Sequence, residues 1–101
     1  MCRPGQIPIN PKTGNIEATT IEGQTEQVMK NLQAVLSAAG SELSQALKCT
    51  VFLSDLKDFT AFNQIYGEFF TSTPPARTTV QVSGLPRNAK IEIDMIASRS
   101  V

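Results

Sequence analysis

The chain has 101 residues, 41% of them hydrophobic and 18% charged, with nine basic and nine acidic side chains and no histidine. Zero net charge, with the two signs interspersed, argues against an electrostatic grip on nucleic acid or on an anionic membrane. Without histidine, a Ser-His-Asp triad, a Cys-His dyad and imidazole-based metal sites are excluded within one chain. One domain near the low end of the common size range is expected, small enough to leave apolar surface for self-association.

Residues 3–9 are short and proline-broken, which predicts an edge strand. Asn10-Pro11-Lys12-Thr13-Gly14 predicts a tight turn and not a phosphate loop. A helix follows: Thr19 and Glu22 fit a capping box, Val28, Leu32, Val35 and Leu36 form one stripe, and Gly40 stops it as a left-handed residue. Ser41 to Gln45 predicts a short turn. Next, Leu47, Cys49, Val51 and Leu53 alternate against Lys48, Thr50 and Phe52, a strand with one apolar face. Cys49 reads as a buried small hydrophobe, and Cys2 with Cys49 cannot build a zinc site. That cysteine usage suits a reducing compartment, so a cytoplasmic location is expected and a mitochondrial one is compatible. Neither a signal-peptide core nor an apolar run long enough to span a membrane occurs, so no membrane partner is expected.

A second helix is predicted over 58–70, where Phe59, Phe62, Ile65, Tyr66 and Phe69 recur at helical spacing and read as core. Asn63 lies beside that stripe. After a polar loop, Pro75 sets an extended entry into a strand with Arg77, Thr79 and Gln81 on one face and Thr78, Val80 and Val82 on the other. The last strand, over 90–98, places Glu92 and Asp94 opposite in sense to Ile91, Ile93 and Met95. These two strands are expected to form a hairpin joined by Gly84 to Ala89. With a symmetric connection Arg77 faces about residue 96, and Glu92 lies roughly 13 Å further along the ladder at the usual strand rise. That separation favours a site completed by a neighbouring subunit.

The order strand, helix, strand, helix, strand, strand predicts an α+β domain, a mixed β-sheet with two helices packed on one face. The uncovered face is expected to carry Arg77, Thr79, Gln81, Glu92 and Asp94. A guanidinium and a carboxylate there suit a small acid undergoing hydrolysis, although a merely solvated sheet face shows the same spacing.

Several segments belong together: Gly5-Gln6-Ile7-Pro8, Pro11-x-Thr13-Gly14, Asn31-Leu32 and Ala38-Ala39-Gly40 in the first half of the chain. Thr50-Val51-Phe52-Leu53-x-Asp55-Leu56-x-Asp58-Phe59, Asn63-x-x-Tyr66, Pro75-Ala76-Arg77 and Leu85-Pro86 before Ile91-Glu92-Ile93 follow in the second. In order and spacing, over nearly the whole chain, they closely resemble the RidA/YjgF family of enamine/imine deaminases. The resemblance implies a chorismate-mutase-like fold and a homotrimer with a central barrel, helices outside and ligand sites between subunits. It implies hydrolysis of reactive 2-imino or 2-enamino acids, such as 2-iminobutanoate and 2-iminopropanoate released by pyridoxal-phosphate enzymes, to 2-keto acids and ammonia. No metal or organic cofactor is implied.

On that footing Arg77 would pair bidentately with the substrate carboxylate, and Glu92 would activate water or exchange protons with the nitrogen. The backbones of Thr79 and Gly5 would supply hydrogen bonds near the ligand, and Asn63 would touch the site. An imine is already electrophilic, so positioning and one carboxylate suffice without a covalent nucleophile.

Family chains usually carry a further strand and a half at the beginning, with a tyrosine near the ligand. Residues 1–101 are therefore expected to form a single domain lacking that strand, with Pro4, which has neither hydroxyl nor backbone donor, in place of the usual serine. Thr79 stands where many members have cysteine. These departures open an alternative: a non-catalytic or weakly active trimeric protein that binds small carboxylates. RNA binding or cleavage, also attributed to some members, is the weakest expectation for a neutral chain without a basic-aromatic series.

Overall fold

Apolar side chains repeated on one helical face need a flat apolar partner, and the sheet supplies it. The computed structural model describes Met1 and residues 3–99, so the cysteine at position 2 lies outside the described residues. Its elements are β1 (Gly5–Gln6), α1 (Ile21–Ala38), β2 (Ala46–Leu53), α2 (Phe59–Glu68), β3 (Ala76–Gln81) and β4 (Ile91–Ala97). Single 3-10 turns cover Leu43–Gln45, Leu56–Asp58 and Pro86–Asn88. The sheet order is β1-β4-β2-β3, with β2 and β3 parallel and the other pairs antiparallel.

Helix α1 buries Ile21, Val28, Met29, Leu32 and Leu36, whereas Val35 at the margin of the stripe is exposed. Its N-cap is Thr20 and not Thr19: the Thr20 hydroxyl accepts from the Gly23 N–H at 3.1 Å. With glycine at the third helical position there is no side chain to complete a capping box. Its end is as expected, with Gly40 at φ +76°, Ser41 N–H donating to Leu36 O and Gly40 N–H to Ser37 O. That pair of bonds is the Schellman closure, which needs a left-handed residue at this point.

Strand β2 lies in the middle of the sheet and buries Cys49, Val51 and Leu53 completely. Leu47, expected on the same face, is 50% exposed, because the register with β4 shifts between Ala46 and Lys48. A bulge there resets the side-chain alternation. The second helix proper is shorter than its stripe, beginning after the 3-10 turn at Leu56–Asp58 and ending at Glu68.

The expected β3–β4 hairpin does not form. Strand β2 stands between the two, paired in parallel with β3, which the chain reaches through α2, and antiparallel with β4. A strand-helix-strand unit returns its second strand parallel to the first. The Val82–Lys90 connection then rounds the end of β2, with Val82 N–H donating to Leu53 O and Ser54 N–H to Lys90 O. Arg87 and Asn88, at φ +59° and +57°, turn the chain there. Arg87 Nη1 ties this turn to Gly14 O at 2.9 Å, anchoring it on the Asn10–Asn15 turn.

Both helices cover the face carrying Cys49, Val51, Leu53, Ile91, Ile93 and Met95. The other face presents Thr50, Phe52, Thr78, Val80, Glu92 and Asp94. Among the described residues no helix is long and apolar enough to cross a membrane.

Candidate functional site

The register assigns each candidate residue a side. Arg77 is opposite Cys49 and Thr79 opposite Val51, so both point to the helix-covered face at the outer strand β3. Glu92 is opposite Phe52 and Asp94 opposite Thr50, which puts both carboxylates on the uncovered face. The expectation that Arg77, Thr79 and Gln81 share a face with Glu92 and Asp94 is therefore corrected. Side-chain parity within a strand is legible from alternation, but parity between strands depends on a register that the assumed hairpin had wrong.

Arg77 reaches under α2. Its Nη1 donates to Asn63 Oδ1 at 2.6 Å, and its guanidinium carbon lies 5.5, 5.4 and 4.8 Å from the ring centroids of Phe59, Phe62 and Tyr66. Three rings, one turn or less apart on α2, thus surround the cation with their negative faces. Among the described residues the ion pairs are Lys30–Glu26 and Lys57–Asp55, and neither involves Arg77. A guanidinium held only by neutral groups keeps its remaining donors and its full charge for an incoming anion.

Asn63, read in the sequence as a residue beside the stripe, is the polar fixer of that guanidinium. The aromatic stripe is core, as expected, at Phe62 and Tyr66, while Phe59 is 36% exposed and closes the cage from outside. Spacing showed the stripe; which cation it embraces depended on where β3 docks.

Beneath the cage, burial pushes the Cys49 thiol up from its ordinary value, with the Tyr66 hydroxyl and the Arg77 charge opposing the shift. Burial likewise raises the Tyr66 phenol, which lies against Cys49 without a hydrogen bond of good geometry. Both groups are neutral there, so Arg77 supplies the local charge. The Thr79 hydroxyl is also buried without a partner. Because Val82 N–H faces β2, alternation directs the N–H groups of Arg77 and Thr79 to the open sheet edge. A cavity of about 360 Å³ opens beside the guanidinium, lined by Arg77, Asn63 and Tyr66 and by Gly67, Phe70, Pro74 and Pro75.

On the uncovered face Gly5 pairs with Asp94, and a Cβ at Gly5 would come within 2.6 Å of Asp94 Oδ1. Pro4, buried, accepts from Met95 N–H through its carbonyl at 2.9 Å. Asn31 Nδ2 holds this segment down by donating to Ile9 O at 2.8 Å. Glu92 has its carboxyl raised above the ordinary glutamate value, first by burial and then by Asp94 two residues on.

A carboxyl raised in the folded state binds more protons folded than unfolded between the two values, so its contribution is full below 4.5 and is lost as pH rises through the folded value. Glu92→Gln is therefore expected to raise Tm at neutral pH, the gain vanishing below 4.5, as calorimetric melts across pH would show. An equal or lower Tm at neutral pH would contradict the shift.

Among the described residues no group of three or more His, Cys, Asp or Glu side chains could hold a metal ion. A mixed four-stranded sheet with two helices on one face and an anion-receptive, ring-lined cleft at its β3 edge defines the class of domain. The Endoribonuclease L-PSP family model matches residues 2–99. Protein DfrA of Myxococcus xanthus is 53% identical over 93 residues, spanning 92% of this chain and 71% of that one. Reactive Intermediate Deaminase A, chloroplastic, of Arabidopsis thaliana is 46% identical over 94 residues, 93% of this chain and 50% of its own length. The crystal structure of E. coli TdcF with bound serine matches with a TM-score of 0.90 at 41% identity, covering 96% of this chain and 78% of that one. The chain belongs to the RidA/YjgF family.

Proposed function

We propose that this protein hydrolyses reactive 2-imino and 2-enamino acids, 2-iminopropanoate and 2-iminobutanoate among them, to 2-keto acids and ammonia. The observation that carries the reading is the Arg77 guanidinium, held by Asn63 and three rings at the mouth of a cavity and paired with no carboxylate among the described residues. It would take the substrate carboxylate and leave C2 of the imine exposed to water. Water adds to C2 of the protonated imine, and a carboxylate takes its proton; the same acid returns that proton to nitrogen. As the carbinolamine expels ammonia, its hydroxyl proton passes to the carboxylate and on to the ammonia, leaving the 2-keto acid and ammonium. Glu92, its carboxyl raised above the ordinary glutamate value by burial and by Asp94, suits that exchange.

Arg77 and Glu92 lie on opposite faces of one sheet. A site using both draws them from two subunits, in keeping with a homotrimer whose clefts lie between neighbours. On this reading Thr79 lends its edge N–H, and Gly5, on the Glu92 side, lends its backbone. Residues 1–101 act as one domain, and its expected partners are small acids and copies of itself.

The test is to add the protein to an amino-acid dehydratase reaction and follow 2-keto acid and ammonia release. Release faster than spontaneous hydrolysis is expected, and none would overturn the reading. A second reading, a small-carboxylate-binding regulator, is favoured by the fact that the Arg77 cleft is formed within one chain without Glu92. Titration with pyruvate would then show binding without turnover. Ribonuclease activity, the description carried by the family model, finds less support in a chain of zero net charge without histidine.

A further inference from the structure

Two carboxyl groups share the uncovered face of β4, and the neighbouring strands give each a different setting. Glu92 is opposite Phe52 on β2, which is opposite Val80 on β3, so its cross-strand row is apolar. Asp94 is opposite Thr50 and, one strand further, Thr78, so its row is hydroxylic. Glu92 is half-buried and Asp94 exposed. Two carboxyls whose surroundings differ in this way can divide the work, one exchanging protons while the other remains a charge.

Gly5 gives Asp94 its place. The two residues pair across β1 and β4, and a Cβ at Gly5 would lie 2.6 Å from Asp94 Oδ1, so the carboxylate fills the space a larger residue would take. Two residues along one strand face are about 7 Å apart at the usual rise. That is within the Debye length of about 8 Å at physiological salt, so the charge of Asp94 reaches Glu92. Arg3 and Lys48 line a cleft of about 270 Å³ with Asp94 and Thr50. Neither forms an ion pair with Asp94, since the pairs among the described residues are Lys30–Glu26 and Lys57–Asp55. Strand β1 brings no charged side chain, Lys90 acts on Asp55, and Arg77 of the same chain is on the opposite face. In a composite site the neighbouring subunit's guanidinium arrives with the substrate carboxylate on it.

We infer that Asp94 is a positioning residue: its negative charge, on the same face of β4 as Glu92, makes Glu92 the stronger acceptor for the proton of the attacking water. This rests on the imine-hydrolysing reading above and adds to it the group that tunes its acid. Burial is the larger cause of the raised Glu92 carboxyl and Asp94 the second, so removing Asp94 weakens the base without abolishing it.

The experiment follows kcat/KM for 2-iminopropanoate across pH in the parent, Asp94→Asn and Asp94→Glu, with melting curves to show that each is folded. Activity that needs an ionised Glu92 rises with pH through the Glu92 titration. Without the like charge that rise should move to lower pH, and the plateau should fall by about 10-fold or less, against about 10²–10⁴ for loss of a general base. Asp94→Glu should restore the parent profile. In the parent alone, about 1 M salt, with a Debye length of about 3 Å, should move the rise the same way. Carbon-13 NMR of labelled glutamate side chains, with Glu92→Gln assigning the signal, reads the Glu92 titration directly. A titration unchanged in Asp94→Asn, or shifted as far in Asp94→Glu, would overturn the inference. So would a shifted titration with an unmoved activity profile, which would take Glu92 out of the water chemistry. If no imine hydrolysis is seen at all, the functional reading falls instead, and the NMR titration alone decides whether Asp94 governs Glu92.

Discussion

Arg77→Ala is expected to lower kcat/KM for imine hydrolysis by about 10²–10³-fold, the equivalent of losing charge-assisted hydrogen bonds worth about 1.5–3 kcal/mol each. Arg77→Lys is the sharper variant, because it keeps the charge. Lysine has neither the planar fork that meets a carboxylate with two parallel bonds nor the flat surface that stacks on rings. It should therefore recover little of the lost activity. Part of the effect on alanine substitution is structural: a cation over aromatic faces contributes about 0.5–2 kcal/mol, and the Asn63 amide loses its donor. Melting curves separate the two, since a loss of stability alone would not change kcat/KM well below Tm. Full activity in Arg77→Lys would show that only a positive charge is needed, and full activity in Arg77→Ala would remove Arg77 from the mechanism.

The elements of this fold were legible because each depends on local pattern. The α1 stripe apart from Val35, the Gly40 stop, the Asn10–Gly14 turn and the alternation of β2 from Cys49 to Leu53 stand where spacing put them. The Thr20 cap was displaced by one residue, since two threonines in succession offer equivalent hydroxyls and only the helix start distinguishes them. Leu47 left the core at a bulge that no composition signal announces.

What could not be read locally was which strands pair. The last two strands looked like a hairpin because they are neighbours in sequence, yet the strand-helix-strand unit before them already required a parallel return. Once β2 lies between β3 and β4, Arg77 and Glu92 fall on opposite faces. The cage had a similar history. Phe59, Phe62 and Tyr66 were visible as a stripe, but a partly exposed ring at its edge gains meaning only beside a cation delivered by another element.

The opposite placement of Arg77 and Glu92 leads to the second large effect, recovery of activity when two inactive variants are mixed. Arg77→Ala and Glu92→Gln should each be nearly inactive alone. In cyclic assemblies with head-to-tail interfaces, every site would take its guanidinium from one subunit and its carboxyl from the next. Random 1:1 mixing by co-refolding then gives about one intact site in four, so about a quarter of the parent activity should return. The doubly substituted chain mixed 1:1 with the parent provides the control. Composite sites would again leave about one quarter of sites intact, whereas sites within single chains would leave about one half. Absence of recovery in the first mixture together with one half in the second would place the whole site, Arg77 and the acid it works with, within one subunit. Because the two residues of one chain face opposite sides of the sheet, that result would require a different acid to serve the water, and Glu92 would be left as a structural carboxyl of the uncovered face.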